Sequence, residues 1–219
     1  MRTSPPLRAW LVAASLAGLW LATAQAVTPP PKVKPVATHA PSYQTFVAGT
    51  ISRSDTLASL RQRLGKEQVQ ATQIPGSEED VPGWIVYPHD PQRRIYIYLD
   101  DTGKHPDMAM VLDARSLWQR ADGVHVGMSL GELVQRNGKM LEFSGFGWDE
   151  GGYVIDWHGG KLGVGLAVRL CEPDFPNGNQ TTGYPVGEGS YSSTLPILRR
   201  YPPKVCEFAL PTTPAERSR

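Results

Sequence analysis

Thr56-Leu-Ala-Ser-Leu-Arg-Gln-Arg-Leu-Gly-Lys66 and Ser129-Leu-Gly-Glu-Leu-Val-Gln-Arg-Asn-Gly-Lys139 state one phrase twice in this 219-residue chain. The copies coincide at Leu57/Leu130, Leu60/Leu133, Gln62/Gln135, Arg63/Arg136, Gly65/Gly138 and Lys66/Lys139, which points to an internal repeat. Each reads as a short helix with its stops in place. Leu57, Leu60 and Leu64 share one helical face, Ser129 and Glu132 form an S-x-x-E capping box, and Gly65 and Gly138 stand where a chain leaves a helix through positive φ. Helices this short need a sheet to hold them.

Extended segments follow each phrase. After the first come 68–73, 84–87, 94–99 and 108–113, with Ile95, Ile97 and Leu99 alternating against Tyr96 and Tyr98. After the second come 140–143, 153–157, 162–170 and 205–210. Asp101-Thr-Gly-Lys104 reads as a turn between the third and fourth strands. The expected fold is therefore α+β, with two tandem units of one helix and one antiparallel four-stranded sheet. The first unit spans 43–118 and the second 119–210, with a Gly- and Pro-rich insert at 172–204.

The phrase Val126-Gly-Met-Ser-Leu-Gly-Glu-Leu-Val134, opening a helix ahead of a meander, resembles the tandem αβ units of the β-lactamase inhibitor protein and the related outer-membrane assembly lipoprotein fold. Residues 126–157, with Asn137-Gly-Lys139 and Gly145-Phe-Gly-Trp-Asp149, are similar to exported bacterial proteins of unknown function. The first resemblance implies a non-enzymatic protein that works by binding other proteins. It carries over no functional residue.

Compartment follows from the ends and the cysteines. Arg2 and Arg8, the apolar run from Ala9 to Ala22 and Ala24-Gln25-Ala26 read as a secretory signal over 1–26. Residues 27–42 read as a Pro-rich spacer and 211–219 as a flexible tail. With the signal removed, no segment is apolar enough to span a bilayer and no cysteine offers a lipid-attachment point, so a soluble periplasmic or secreted protein is expected. Cys171 and Cys206 are the only cysteines, and in an oxidising compartment a lone pair is most simply one disulfide. They stand at the two ends of the insert. A formal charge of +1, from 22 basic and 21 acidic residues, excludes a strongly electrostatic nucleic-acid binder. No metal-binding spacing, phosphate loop or dinucleotide signature is present, so neither metal nor cofactor is expected.

Phe143-Ser-Gly-Phe-Gly-Trp-Asp-Glu-Gly-Gly-Tyr-Val-Ile-Asp-Trp-His-Gly-Gly160 is dense in aromatics and glycines. These aromatics either fill a core or present a rigid contact surface, and Phe146, Trp148, Asp149 and Glu150 are the candidate contact residues. In the insert, Tyr184 and Tyr191 among small polar residues have the composition of a binding loop. Gly127-Met-Ser-Leu-Gly131 matches the G-x-S-x-G of serine hydrolases, but Ser129 already serves as a helix cap and its counterpart is Thr56. The leading expectation is a non-catalytic binding protein of the bacterial cell envelope with a protein partner. A carbohydrate- or peptidoglycan-binding module is the second reading, and an envelope hydrolase using Ser129 or Asp149/Glu150 the third.

Overall fold

The computed structural model describes residues 41–47, 50–163, 167–178 and 182–212. The expected signal, residues 27–40 of the spacer and residues 213–219 of the tail lie outside the described residues.

Both copies of the repeated phrase fold as helices, α1 (Leu57–Leu64) and α2 (Leu130–Asn137). Each carries a full capping box: Ser59 N–H donates to Thr56 Oγ1, and Glu132 N–H to Ser129 Oγ, with the reciprocal bonds also made. Gly138 ends α2 in the left-handed region at φ 75°. Gly65 leaves α1 at φ 103° with extended ψ, entering a single 3₁₀ turn.

Around the helices the strands run β1 (Gln44–Thr45), β2 (Val69–Ile74), β3 (Val81–Val86), β4 (Ile95–Leu99), β5 (Pro106–Val111), β6 (Trp118–Gln119), β7 (Glu142–Ser144), β8 (Val154–Asp156), β9 (Val168–Cys171), β10 (Ser190–Ser192) and β11 (Lys204–Leu210). A four-residue helix, α3 (Ile197–Arg200), lies between the last two. The turn between β4 and β5 is held by Asp100, whose Oδ1 accepts from Thr102 Oγ1, Lys104 N–H and His105 N–H.

The chain is α+β, but the strands do not divide into two four-stranded units. They form one six-stranded antiparallel sheet in the order β2-β3-β4-β5-β11-β9, a three-stranded sheet β10-β7-β8 and a parallel pair β1-β6. The reason lies in β5 and β11. Phe208-Ala-Leu210 and Ala109-Met-Val111 are runs of consecutive buried residues, a pattern for strands covered on both faces. Left as edges of separate sheets, these strands would expose unpaired backbone and apolar side chains. Paired together, with Phe208 opposite Val111 and Leu210 opposite Ala109, they join the halves across the expected boundary at 118/119. β7 and β8 are then left to find a third strand, which the insert supplies as β10, with Tyr191 opposite Phe143.

The core lies on one face of the large sheet. Ile95, Ile97, Val111, Phe208 and Leu170 there meet Leu60 and Leu133 from the two helices. Cys171 and Cys206 are disulfide-bonded, with Cα atoms 5.6 Å apart. They join the adjacent strands β9 and β11 at the base of the insert, Cys206 occupying an extra residue in the ladder between Val205 and Glu207.

Candidate functional site

The opposite face of the six-stranded sheet carries the site. Because side chains alternate across a strand, the register pairing Tyr98 with Met108 and Tyr96 with Met110 brings two tyrosines and two methionines onto this face. Glu207 and Arg169, paired across β11 and β9, extend it. The glycine-rich loop between β7 and β8 rises over this surface. Together they enclose a groove of about 770 Å³, floored by Tyr98, Met108 and Met110 and walled by Trp148, Tyr153 and Ile155. At its far end the groove reaches Pro75, Gly76 and Ser77 in the hairpin between β2 and β3, where Tyr98 Oη donates to Pro75 O at 2.6 Å.

The wall is built by local bonds. Phe146, 3% exposed, stacks on Tyr184 with ring centroids 5.5 Å apart and anchors the loop's start. Gly147 at φ 85° turns the chain. Trp148 Nε1–H then donates to Gly145 O at 2.8 Å, folding the indole back over the loop. Arg169 fastens the far side: its guanidinium donates to the carbonyls of Gly151 (2.8 Å) and Asp149 (3.0 Å), pairs with Glu207 at 3.2 Å and lies 5.2 Å from the Tyr153 ring centroid. Tyr153 Oη donates to Glu207 Oε2 at 3.3 Å. Burial, with Glu207 second, pushes the Tyr98 hydroxyl up to about 12 and raises Tyr153 as well. At neutral pH both groups are uncharged phenols presenting aromatic faces.

Three of the sequence candidates converge here: Trp148 is half-buried in the wall, and Asp149 and Glu150 stand exposed at its rim. The others do not. Phe146 and Tyr184 are buried, Tyr184 at 4% exposure and packed edge-on against Phe175, so they form core rather than contact surface. Burial also raises the Tyr184 hydroxyl, which donates to Tyr201 O. Tyr191 sits on β10, donates its hydroxyl to Val186 O at 2.7 Å and does not line the groove. The insert contributes Glu188 instead. Tyr98, Met108, Met110, Arg169 and Glu207 escaped the sequence reading because an outward strand position looks the same whether it faces solvent or a groove. The apolar pair Met108 and Met110 on the outward side was the available signal.

Ser129 is a cap. Its Oγ donates to Glu132 Oε2 at 2.7 Å while accepting from Glu132 N–H, and no histidine hydrogen-bonds it among the described residues. His158 lies instead with Glu142 (3.6 Å) and Asp156 (3.7 Å). These three groups place one ligand atom each within 4.8 Å of one another. Cross-strand pairing of β7 with β8 sets Glu142 opposite Asp156, and the His158 backbone N–H donates to Asp156 Oδ1 at 2.6 Å.

Replacing Ser129 by Ala is expected to cost about 1 kcal/mol of stability, and serine-directed phosphonates are expected to leave the parent unlabelled. The backbone N–H and hydroxyl of Ser129 hold the Glu132 carboxyl below its ordinary value. That contribution is fully present above the carboxyl's unfolded-state pKa and is lost as pH falls through the depressed folded value. The gap between parent and Ser129→Ala in urea melts should therefore narrow in acid. A gap constant down to acid unfolding would show that the cap does not involve the Glu132 carboxylate.

No protein-family model, no curated protein and no solved structure matches this chain.

Proposed function

We propose that this chain is an exported, non-catalytic binding protein of the bacterial cell envelope that engages a protein partner through the groove beneath the Trp148 loop. The observation that carries this reading is the groove itself. It is a concave surface with apolar and aromatic walls and a few polar groups at its rim, the usual make-up of a recognition site. Its shape is built in, since Arg169 and Phe146 hold the loop in place. Ile155, 55% exposed, leaves apolar area uncovered at its edge, as recognition surfaces do.

Compartment and catalytic content support the same reading. The disulfide suits an oxidising environment, and no helix among the described residues is long and apolar enough to cross a membrane. Ser129, the candidate serine nucleophile, is committed to capping α2. The resemblance of Val126–Val134 to tandem-unit binding proteins points the same way.

The test is a pull-down from envelope extract with oxidised protein, beside a Trp148→Ala variant whose thermal midpoint is checked first. The expected result is a protease-sensitive partner, identified by mass spectrometry, that the parent retains and the variant loses. Equal retention by both would place the interaction elsewhere. Retention of purified peptidoglycan alone would replace a protein partner by a glycan.

A further inference from the structure

We infer that the groove receives a basic segment of the partner in extended conformation, its lysine or arginine side chains lying along the methionine and tyrosine walls with their charges against the rim carboxylates. This rests on the binding function proposed above and names the chemistry of what is bound.

Charge distribution is the first argument. The whole chain is close to neutral, with a formal charge of +1, yet among the described residues the groove is lined by Asp149, Glu150, Glu188 and Glu207 against Arg169. Glu207 is already satisfied by Arg169 and Tyr153. Asp149, Glu150 and Glu188 are exposed, and none has an ion pair among the described residues. At the opposite end the hairpin that contributes Ser77 continues directly into Glu78, Glu79 and Asp80, all exposed. Acids that outnumber bases along a concave site on a near-neutral protein focus the field toward a cation.

The walls fit the same ligand. Lysine and arginine carry long apolar stems behind a charged head, and Met108, Leu112 and Ile155 offer apolar surface to such stems. Tyr98, Tyr153 and Trp148 add aromatic faces that attract cations. The protein already contains one instance of this arrangement, since the Arg169 guanidinium rests on Tyr153 beside the Glu207 carboxylate.

Length decides between a small free cation and a chain segment. The lining runs from the β2–β3 hairpin across β4, β5 and β11 to β9. At about 4.8 Å between strands this is roughly 20 Å, the reach of about six extended residues.

Fluorescence anisotropy with three labelled hexapeptides tests this: alternating Lys and Leu, alternating Gln and Leu, and alternating Glu and Leu. The Lys peptide is expected to bind oxidised parent at least about tenfold more tightly than the Gln peptide, and the Glu peptide not to bind. Raising NaCl from about 0.01 M to 0.15 M, which shortens the Debye length from about 30 to 8 Å, should weaken the Lys peptide most. The variant Asp149→Asn/Glu150→Gln/Glu188→Gln should keep its melting midpoint, because these side chains are exposed, and lose about tenfold in affinity.

Equal affinity for the Lys and Gln peptides, unchanged affinity in the triple variant, or no binding of any hexapeptide would each overturn the inference. So would spermidine displacing the Lys peptide as effectively as unlabelled peptide does, because the site would then take a cation rather than a chain. None of these results touches the Trp148→Ala pull-down, which judges the binding function separately.

Discussion

Replacing Cys171 and Cys206 together by serine is expected to destabilise the protein by roughly 3 to 4 kcal/mol, the loop-closure value for the 35-residue separation the disulfide spans. For a body of this size that corresponds to a fall in thermal midpoint of about 10 °C. The loss should not stay local. The bond fixes β9 against β11, and β11 also pairs with β5, so loosening it frees the strand that unites the halves of the large sheet. The same closure holds the insert whose Tyr184 covers Phe146, and Phe146 anchors the Trp148 loop. A scan of the parent with and without dithiothreitol, beside the double serine variant, measures it. Midpoints within a degree of one another would show that the sheet alone already restrains the insert.

Asn137→Ala is expected to cost about 3 to 5 kcal/mol, an exceptional value for a single polar side chain. Asn137 is fully buried at the end of α2. Its Nδ2 donates to Lys139 O and Trp157 O, both at 3.0 Å, and its Oδ1 accepts from Leu162 N–H at 3.1 Å. Truncation leaves the Lys139 carbonyl and the Leu162 amide short of a partner, while Trp157 O keeps the Gly160 N–H, and unsatisfied buried polar groups are costly. Asn137→Leu is the sharper variant, because Leu64 holds the equivalent place in α1. If apolar burial were what this position supplies, leucine would stabilise; the hydrogen-bonding account expects it to be as damaging as alanine. Urea unfolding of both variants distinguishes them, and a leucine variant as stable as the parent would refute the clamp.

Asn137 also illustrates what could be read in advance. The repeated phrase revealed both helices with their caps and glycine exits, because a cap is a bond between residues three apart and needs nothing from the rest of the chain. The meander strands were legible for a similar reason. Alternation in Ile95-Tyr-Ile-Tyr-Leu99 and the Asp101–Lys104 turn are local patterns, and β2, β3, β4 and β5 form close to their expected positions. The place where the repeat departs from itself, Leu64 against Asn137, was visible as a difference but not as a clamp. Its partners at Trp157 and Leu162 are 20 and 25 residues away.

The candidate site was half legible for a related reason. Trp148, with Asp149 and Glu150 beside it, is legible because strand parity sets it apart from Tyr153, Ile155 and Trp157, at the edge of a glycine-rich loop. Phe146 and Tyr184 looked equivalent, but the parallel bridge of Phe146 to Val186 turns one ring onto the other, and no local pattern encodes a contact across 38 residues. β1, β6 and β10 are two- or three-residue strands whose pairing partners are remote, so they carried no periodicity to detect.

By itself, then, the sequence determined the helices, the main strands, the disulfide and the α+β class, all of which follow from bonds between near neighbours or from having only two cysteines to pair. Tertiary structure alone decided that the two halves share one six-stranded sheet and that its outer face, beneath the Trp148 loop, becomes an acidic groove. Both depend on which strand edges meet. That choice is set by burying β5 and β11 on both faces at once, a property of the assembled chain that no single segment contains.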